Sequence, residues 1–321
     1  MDYYIMPTHD MIMSQSLPDF SGFGSITTNL GEVENKGFEI SINTKNIANQ
    51  NFTWNTTFGY SKYKNTIKHL YYTFVDQLDA KGNLISSKEA DDVSNGWFIG
   101  QPISAIWNYK VTGIWQVNEI EEAAKYGQRP GDPKVENLYT ADDIQNADGT
   151  TTPVYNNKDK TFLGQTAPPI MWSLRNDFTY KNFNFSFNMY SYWGAKSMSG
   201  NYLNQNNSTS GVTYNTNTYE REYWSLDNPS DFYGRLDSKG PAGITAPQRV
   251  YDRSFIRLDN VTLGYSLPKK LINAWKMENL KVYATVRNVA VWKKDKNWHY
   301  WDIETGGIAP RIYTLGVNVT F

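Results

Sequence analysis

The last eleven residues constrain the fold most. From Arg311 onward, Tyr313, Leu315, Val317, Val319 and Phe321 alternate with Thr314, Gly316, Asn318 and Thr320. Successive side chains of a strand point to opposite faces, so this segment predicts a strand with one apolar and one polar side. Its length matches the roughly 9–11 residues that a tilted strand needs to cross a bilayer. The same two-residue period recurs. Phe52, Trp54, Thr56, Phe58 and Tyr60 alternate with Thr53, Asn55, Thr57 and Gly59. Phe183, Phe185, Phe187 and Met189 alternate with Asn184, Ser186 and Asn188. Phe38–Ile42, Val261–Leu267 and Leu280–Val286 repeat it, and Ile103–Trp115 and Met171–Lys181 do so less cleanly.

Composition fits spaced rather than blocked apolar residues. Mean hydropathy is -0.60, yet 15% of the residues are aromatic. The formal net charge of -1 offers nothing to nucleic acid. The chain has no cysteine, which excludes disulfides and thiolate metal sites. No apolar run approaches the ~18 residues of a transmembrane helix. Met1–Pro7 lacks the charged and apolar regions of a signal peptide, so an export signal is expected outside this chain.

Alternation is shared by soluble β-sandwiches, and a soluble glycan-binding sandwich module stays open as the alternative. Strand length and aromatics near strand ends favour an all-β, antiparallel transmembrane barrel. Connection lengths point the same way. The short links Ile47–Gln50, Gln101-Pro102 and Lys181-Asn182 separate the long ones Asn65–Ala90, Gln116–Pro169 and Gly194–Val250. Membrane barrels pair short periplasmic turns with long extracellular loops. Continuing that parity makes Pro268–Asn279 an inner turn and Trp292–Pro310 an outer loop. It requires a further strand near Asp91–Gly100 and counts Asp2–Met6 and Asp10–Gln15 as two strands. The total is about eleven, half of a barrel of roughly 22 strands. Residues 1–321 are thus expected to form the C-terminal part of such a barrel, as a fragment or paired with another chain.

Several segments resemble the SusC/RagA family of TonB-dependent transporters: Tyr251-Asp252-Arg253-Ser254-Phe255-Ile256-Arg257-Leu258-Asp259-Asn260 through Pro268, Asn35-Lys36-Gly37-Phe38-Glu39, Gln101–Gln116, and the ending from Pro310-Arg311 to Phe321. The resemblance covers nearly the whole chain in order. It implies import of glycans or other large nutrients across the outer membrane, with a SusD-like surface lipoprotein over the barrel. It also implies energy from TonB acting on a plug, and this chain contains neither plug nor TonB box. It makes Tyr313, Leu315, Val317, Val319 and Phe321 an assembly signal.

Enzyme chemistry has no foothold. His9, His69 and His299 are isolated, and no nucleophile elbow, phosphate loop or dinucleotide fingerprint occurs. No catalytic residue, cofactor or metal is expected. Asp142-Asp143 and Asp148-Gly149 lack the spacing of a calcium loop. The candidate substrate contacts are outer-loop aromatics: Trp193, Trp224, Trp298, Tyr300 and Trp301. Each has three readings, which the sequence leaves open: stacking on a sugar ring, anchoring at the lipid interface, or packing against a partner.

Overall fold

The computed structural model describes residues 1–17, 19–199, 222–244, 247–298 and 301–321. It divides into two compact units. The first comprises Met1–Ser104, Ala167–Ala195 and Arg253–Phe321, and the second Ala105–Thr166 and Lys196–Asp252.

The first unit is built on one eight-stranded antiparallel sheet in chain order. Its strands are β1 (Asp2–Ser16), β2 (Ser25–Ala48), β3 (Phe52–His69), β4 (Ile170–Tyr180), β5 (Phe183–Trp193), β6 (Phe255–Ser266), β7 (Asn279–Lys293) and β8 (Ile312–Thr320). Sequential antiparallel pairing with no crossover is the topology of a barrel wall. Short connections, residues 49–51, 181–182 and 267–278, lie at one end of the strands. The last of these carries a helical turn, Lys269–Ile272. The connections that leave from and return to the other end of the strands are long and span residues 70–169, 194–254 and 294–311.

Register makes the two faces explicit. Residues directly opposite across an antiparallel pair share a face. Trp54, Phe178, Phe185, Leu263, Ala284 and Leu315 are paired in one row across six strands. One residue along, Asn55, Asp177, Ser186, Thr262, Thr285 and Thr314 form the adjacent row on the opposite face. Nearer the short turns, Phe52, Tyr180, Phe183 and Tyr265 add an aromatic row to the apolar face. Asn176 is a polar residue on that face. It is buried, and its Oδ1 accepts from Trp54 Nε1 at 2.7 Å and from Thr56 Oγ1 at 2.6 Å. A buried amide oxygen is tolerable on such a face because it is paired.

Five expectations are corrected. The sheet has eight strands among the described residues, not eleven. Asp2–Met6 and Asp10–Gln15 form a single strand, β1. Asp10 adopts φ +55° and the register shifts between Thr8 and Met11, so a bulge resets the alternation and mimics a strand break. Pro7 is tolerated because β1 is an edge strand of this sheet.

Asp91–Gly100 is turn rather than strand, holding only the Asp92–Trp97 bridge. Carboxylates there capture backbone donors: Asp91 accepts Ile99 N and Asp92 accepts Asn95 N. Gln101-Pro102 is therefore no barrel turn but lies inside the connection from β3 to β4. Ile103–Trp115 also stays out of the large sheet. It splits into Ala105–Asn108, paired with Thr161–Gln165, and Val111–Ile114, paired with Pro133–Val135.

The second unit folds around small cores of its own. Ile114 packs with Trp224, and Val135 with Tyr155 and Ile244. Its polar keystone is Asp132, 1% exposed. Asp132 accepts Arg129 N, Lys239 N and Arg235 Nε at 2.8–3.0 Å. Burial pushes its carboxyl pKa up, opposed by those two backbone N–H groups. No described helix is long and apolar enough to cross a membrane, which says nothing of strands.

Candidate functional site

The polar face of the sheet carries a cavity of about 500 Å³. Glu39 and Ser41 from β2, Gly59 and Ser61 from β3, Ser173 from β4 and Tyr190 and Tyr192 from β5 line it. These positions follow from alternation: Ser41, Gly59, Ser173 and Tyr190 are register partners on one row, and Glu39, Ser61, Met171 and Tyr192 on the next. Asp2 and Glu304 also line it, as do Ile40, Tyr60 and Trp172. The two tyrosine rings lie 5.7 Å apart, and both pack edge-on against Phe255.

Glu304 reaches the cavity because its loop lies back against the sheet. Arg257, on the polar face opposite Tyr190 and Val291, is 4% exposed. Its Nη2 donates to Asp302 Oδ2 at 2.6 Å and its Nη1 to Asn288 Oδ1 at 2.5 Å. Its Nε stands 3.2 Å from Glu304 Oε2, an ionic contact without hydrogen-bond geometry. Tyr190 Oη donates to the same Glu304 oxygen at 2.6 Å. Arg253 Nε and Nη2 donate to the Ile303 carbonyl at 2.9 and 2.8 Å, and Ile303 is fully buried. Burial would raise the Asp302 pKa, but the Arg257 bond and the Thr305 and Glu304 N–H groups hold it below the usual carboxylate range. A second pin sits at the end of β3. Glu89, 6% exposed, accepts Leu70 N, Tyr72 N and His69 Nδ1 at 2.8–2.9 Å.

The aromatic candidates are not brought together on this cavity. Trp224 is buried in the second unit, its Nε1 donating to Gln116 Oε1 at 3.2 Å. Trp193 ends β5 on the apolar face and lies under Lys294 Nζ at 5.3 Å. Trp298 donates to the Trp301 carbonyl at 3.1 Å, and Arg253 stands over its ring. Trp301 is exposed beside Asp302, and Tyr300 lies outside the described residues. Sequence reasoning overlooked Tyr190 and Tyr192. Extending the Phe183–Met189 alternation by three residues puts both on the polar face, which is the signal that was available. Glu304 had none, because a loop has no period. Asp142, Asp143 and Asp148 are all engaged locally, with Lys158, Val154 N and Thr150 respectively.

No family model matches the chain. Individual proteins do. TonB-dependent receptor P3 of Formosa agariphila is 30% identical over 296 residues, covering 90% of this chain and 27% of that protein. SusC of Bacteroides thetaiotaomicron is 27% identical over 346 residues, covering all of this chain and 30% of SusC. The chain is similar in sequence to TonB-dependent receptors, SusC among them. In fold it is similar to the RagAB peptide transporter, with TM-score 0.65 at 20% identity over 99% of this chain and 33% of that one. The chain spans less than a third of the length of the curated relatives it matches. Its two-faced sheet is the strand architecture of an outer-membrane barrel, where the apolar face meets lipid and the polar face the interior.

Proposed function

We propose that this chain forms part of the wall of an outer-membrane importer for large nutrients, glycans or peptides, with its polar face lining the path. The continuous pairing of apolar and polar rows across the sheet carries this reading, since a wall between lipid and water needs both faces unbroken. A SusD-like lipoprotein over the long-loop end, and TonB acting through a plug, are the partners the relatives suggest. Residues 1–321 would then be the C-terminal part of the barrel. Trp193, Trp298 and Trp301 keep exposure for a substrate or a partner, whereas Trp224 serves packing.

The test uses the full-length protein that carries this chain, in cells, with fluorescent maltohexaose and a fluorescent oligopeptide as probes. Uptake of at least one probe should stop when the proton-motive force is dissipated. Persistent uptake without that force, or a chain that folds without lipid or detergent, would overturn the reading. Tags in residues 116–169 and 222–244 should be reachable from outside on intact cells. The β8 residues Tyr313, Leu315, Val317 and Val319, with Phe321, are proposed as the assembly signal. Deleting Phe321 in the full-length protein should lower outer-membrane levels, and unchanged levels would remove that role.

A further inference from the structure

We propose that the turn at residues 302–307 is a fixed inward constriction, latched to the polar wall by Arg257, and that Glu304 at this turn selects against anionic solutes. The proposal rests on the import reading and adds a specificity-determining residue to it.

The first support is the latch. A loop joining two strands at the long-loop end has solvent available, yet Asp302 and Ile303 are buried against the sheet. Three side chains from the wall, Tyr190 of β5, Arg257 of β6 and Asn288 of β7, together with Arg253 just before β6, hold this one loop. Asn288 Nδ2 donates to the Ala309 carbonyl at 2.8 Å, and Arg311 donates back to the Asn288 and Val289 carbonyls. The turn is also closed on itself, with Asp302 N donating to Gly307 O at 2.8 Å and Gly306 N to Asp302 O at 2.9 Å. A buried arginine bonded on two edges is rigid and costly to release.

The second support is what the latch presents. Glu304 enters the cavity with its charge only partly answered, because Arg257 is shared with Asp302. Asp2 and Glu39 line the same cavity, and among the described residues no cationic side chain does. Ser41, Ser61, Ser173 and two tyrosines supply neutral polar contacts and flat rings. Such a surface accepts hydrogen bonds from hydroxyl- or amine-rich chains. It repels carboxylated or sulfated ones, and a site sheltered by protein walls screens that repulsion less than open water does.

The experiment again uses the full-length protein. Its probes are three hexasaccharides: neutral maltohexaose, basic glucosamine hexamer and anionic galacturonate hexamer. Wild type should prefer the first two. Glu304→Lys should shift the anionic-to-basic uptake ratio by about tenfold or more, from reversing one charge in a sheltered site, and Glu304→Gln by less. Uptake that continues with an unchanged ratio would overturn the selectivity claim alone. No uptake of any probe, together with none of oligopeptide, would overturn the import reading beneath it.

The latch has its own readout, independent of transport. Residues 1–321 contain no cysteine, so in a full-length protein with every cysteine outside this chain replaced by serine, Thr305→Cys gives a single thiol. On intact cells it should react with a small thiosulfonate reagent and resist a bulky polyethylene-glycol maleimide. Adding Arg257→Met should open it to the bulky reagent. Equal reactivity towards both reagents in the Arg257-containing protein would show a loop that stands outward, and would end the proposal.

Discussion

The large sheet and the second unit solve the same problem in opposite ways. The second unit hides its apolar side chains among themselves and ties them with buried polar keystones such as Asp132 and Gln128. The sheet leaves its apolar row open: Leu315 is 84% exposed, Val317 58% and Leu263 53%. In water, exposure of that kind across neighbouring strands is an aggregation hazard. In a bilayer it is the right surface, because the hydrocarbon supplies the contacts that a protein core would otherwise supply. The lesson is that burial within the chain is a poor guide to which residues of this sheet matter. Leu315 has scarcely a protein contact to lose, while Asp132 has many.

The largest expected effect lies in the second unit. Asp132→Ala strands Arg235 and two backbone N–H groups in a buried place, costing about 3–5 kcal/mol. Hydrogen exchange should show residues 105–166 loosening, by the same amount in thick and thin bilayers. A lipid-dependent loss would erase the contrast between the two regions.

Next comes Leu315→Arg, about 2–4 kcal/mol where the position is near the bilayer midplane. The measurement is the folded fraction of the full-length barrel in vesicles of different thickness. Thr314→Arg, on the polar face, should cost much less. Val319→Arg, nearer the strand end, should fall between them, and its gap from Leu315→Arg should change with bilayer thickness. If the two lipid-facing substitutions cost the same in every bilayer, the apolar face does not meet lipid.

A smaller effect, about 1–3 kcal/mol of overpacking, is expected for Gly316→Val. A Cβ at Gly316 would stand 2.3 Å from the Tyr283 ring, which lies across it from β7. Here the sheet packs as tightly as any core, on its polar side. Gly316→Val combined with Tyr283→Ser should recover part of the loss in a chemical-denaturation series. No recovery would mean the ring is not the obstacle.

The smallest effect is in acid. The Asp302 pKa is depressed in the fold, so the unfolded chain binds its proton more readily. Its stabilising contribution is present above the ordinary carboxylate value of about 3.9 and is lost as pH falls through the lower folded value. Below pH ~4 the 302–307 turn should therefore loosen before the strands do. Hydrogen exchange at Thr305 and Gly307 reads this. In Asp302→Asn the acid-dependent step should disappear.

The alternation of Phe183 to Met189 and of Tyr313 to Phe321 was enough to fix those two strands and their faces, but not the connection at Gln101-Pro102. A period of two is imposed by backbone geometry and leaves its mark residue by residue. Where the backbone departs from that period, the mark is lost. Asp10 in its left-handed conformation made one strand read as two, and counting Gln101-Pro102 as a barrel turn called for a strand at residues 91–100, where the Asp91 and Asp92 carboxylates hold turns instead. The family motifs reached through these breaks because they match order and chemistry rather than periodicity.

What the sequence alone determined is a two-faced sheet of outer-membrane type. Only the tertiary structure decided that residues 103–115 leave that sheet, that Trp224 is a core residue, and that Tyr190, Glu39 and Glu304 meet on one wall. Those outcomes depend on contacts between residues distant in sequence, such as Ala105 with Gln165 and Tyr190 with Glu304. Local backbone preference encodes which way a side chain points, but not which distant partner it meets there.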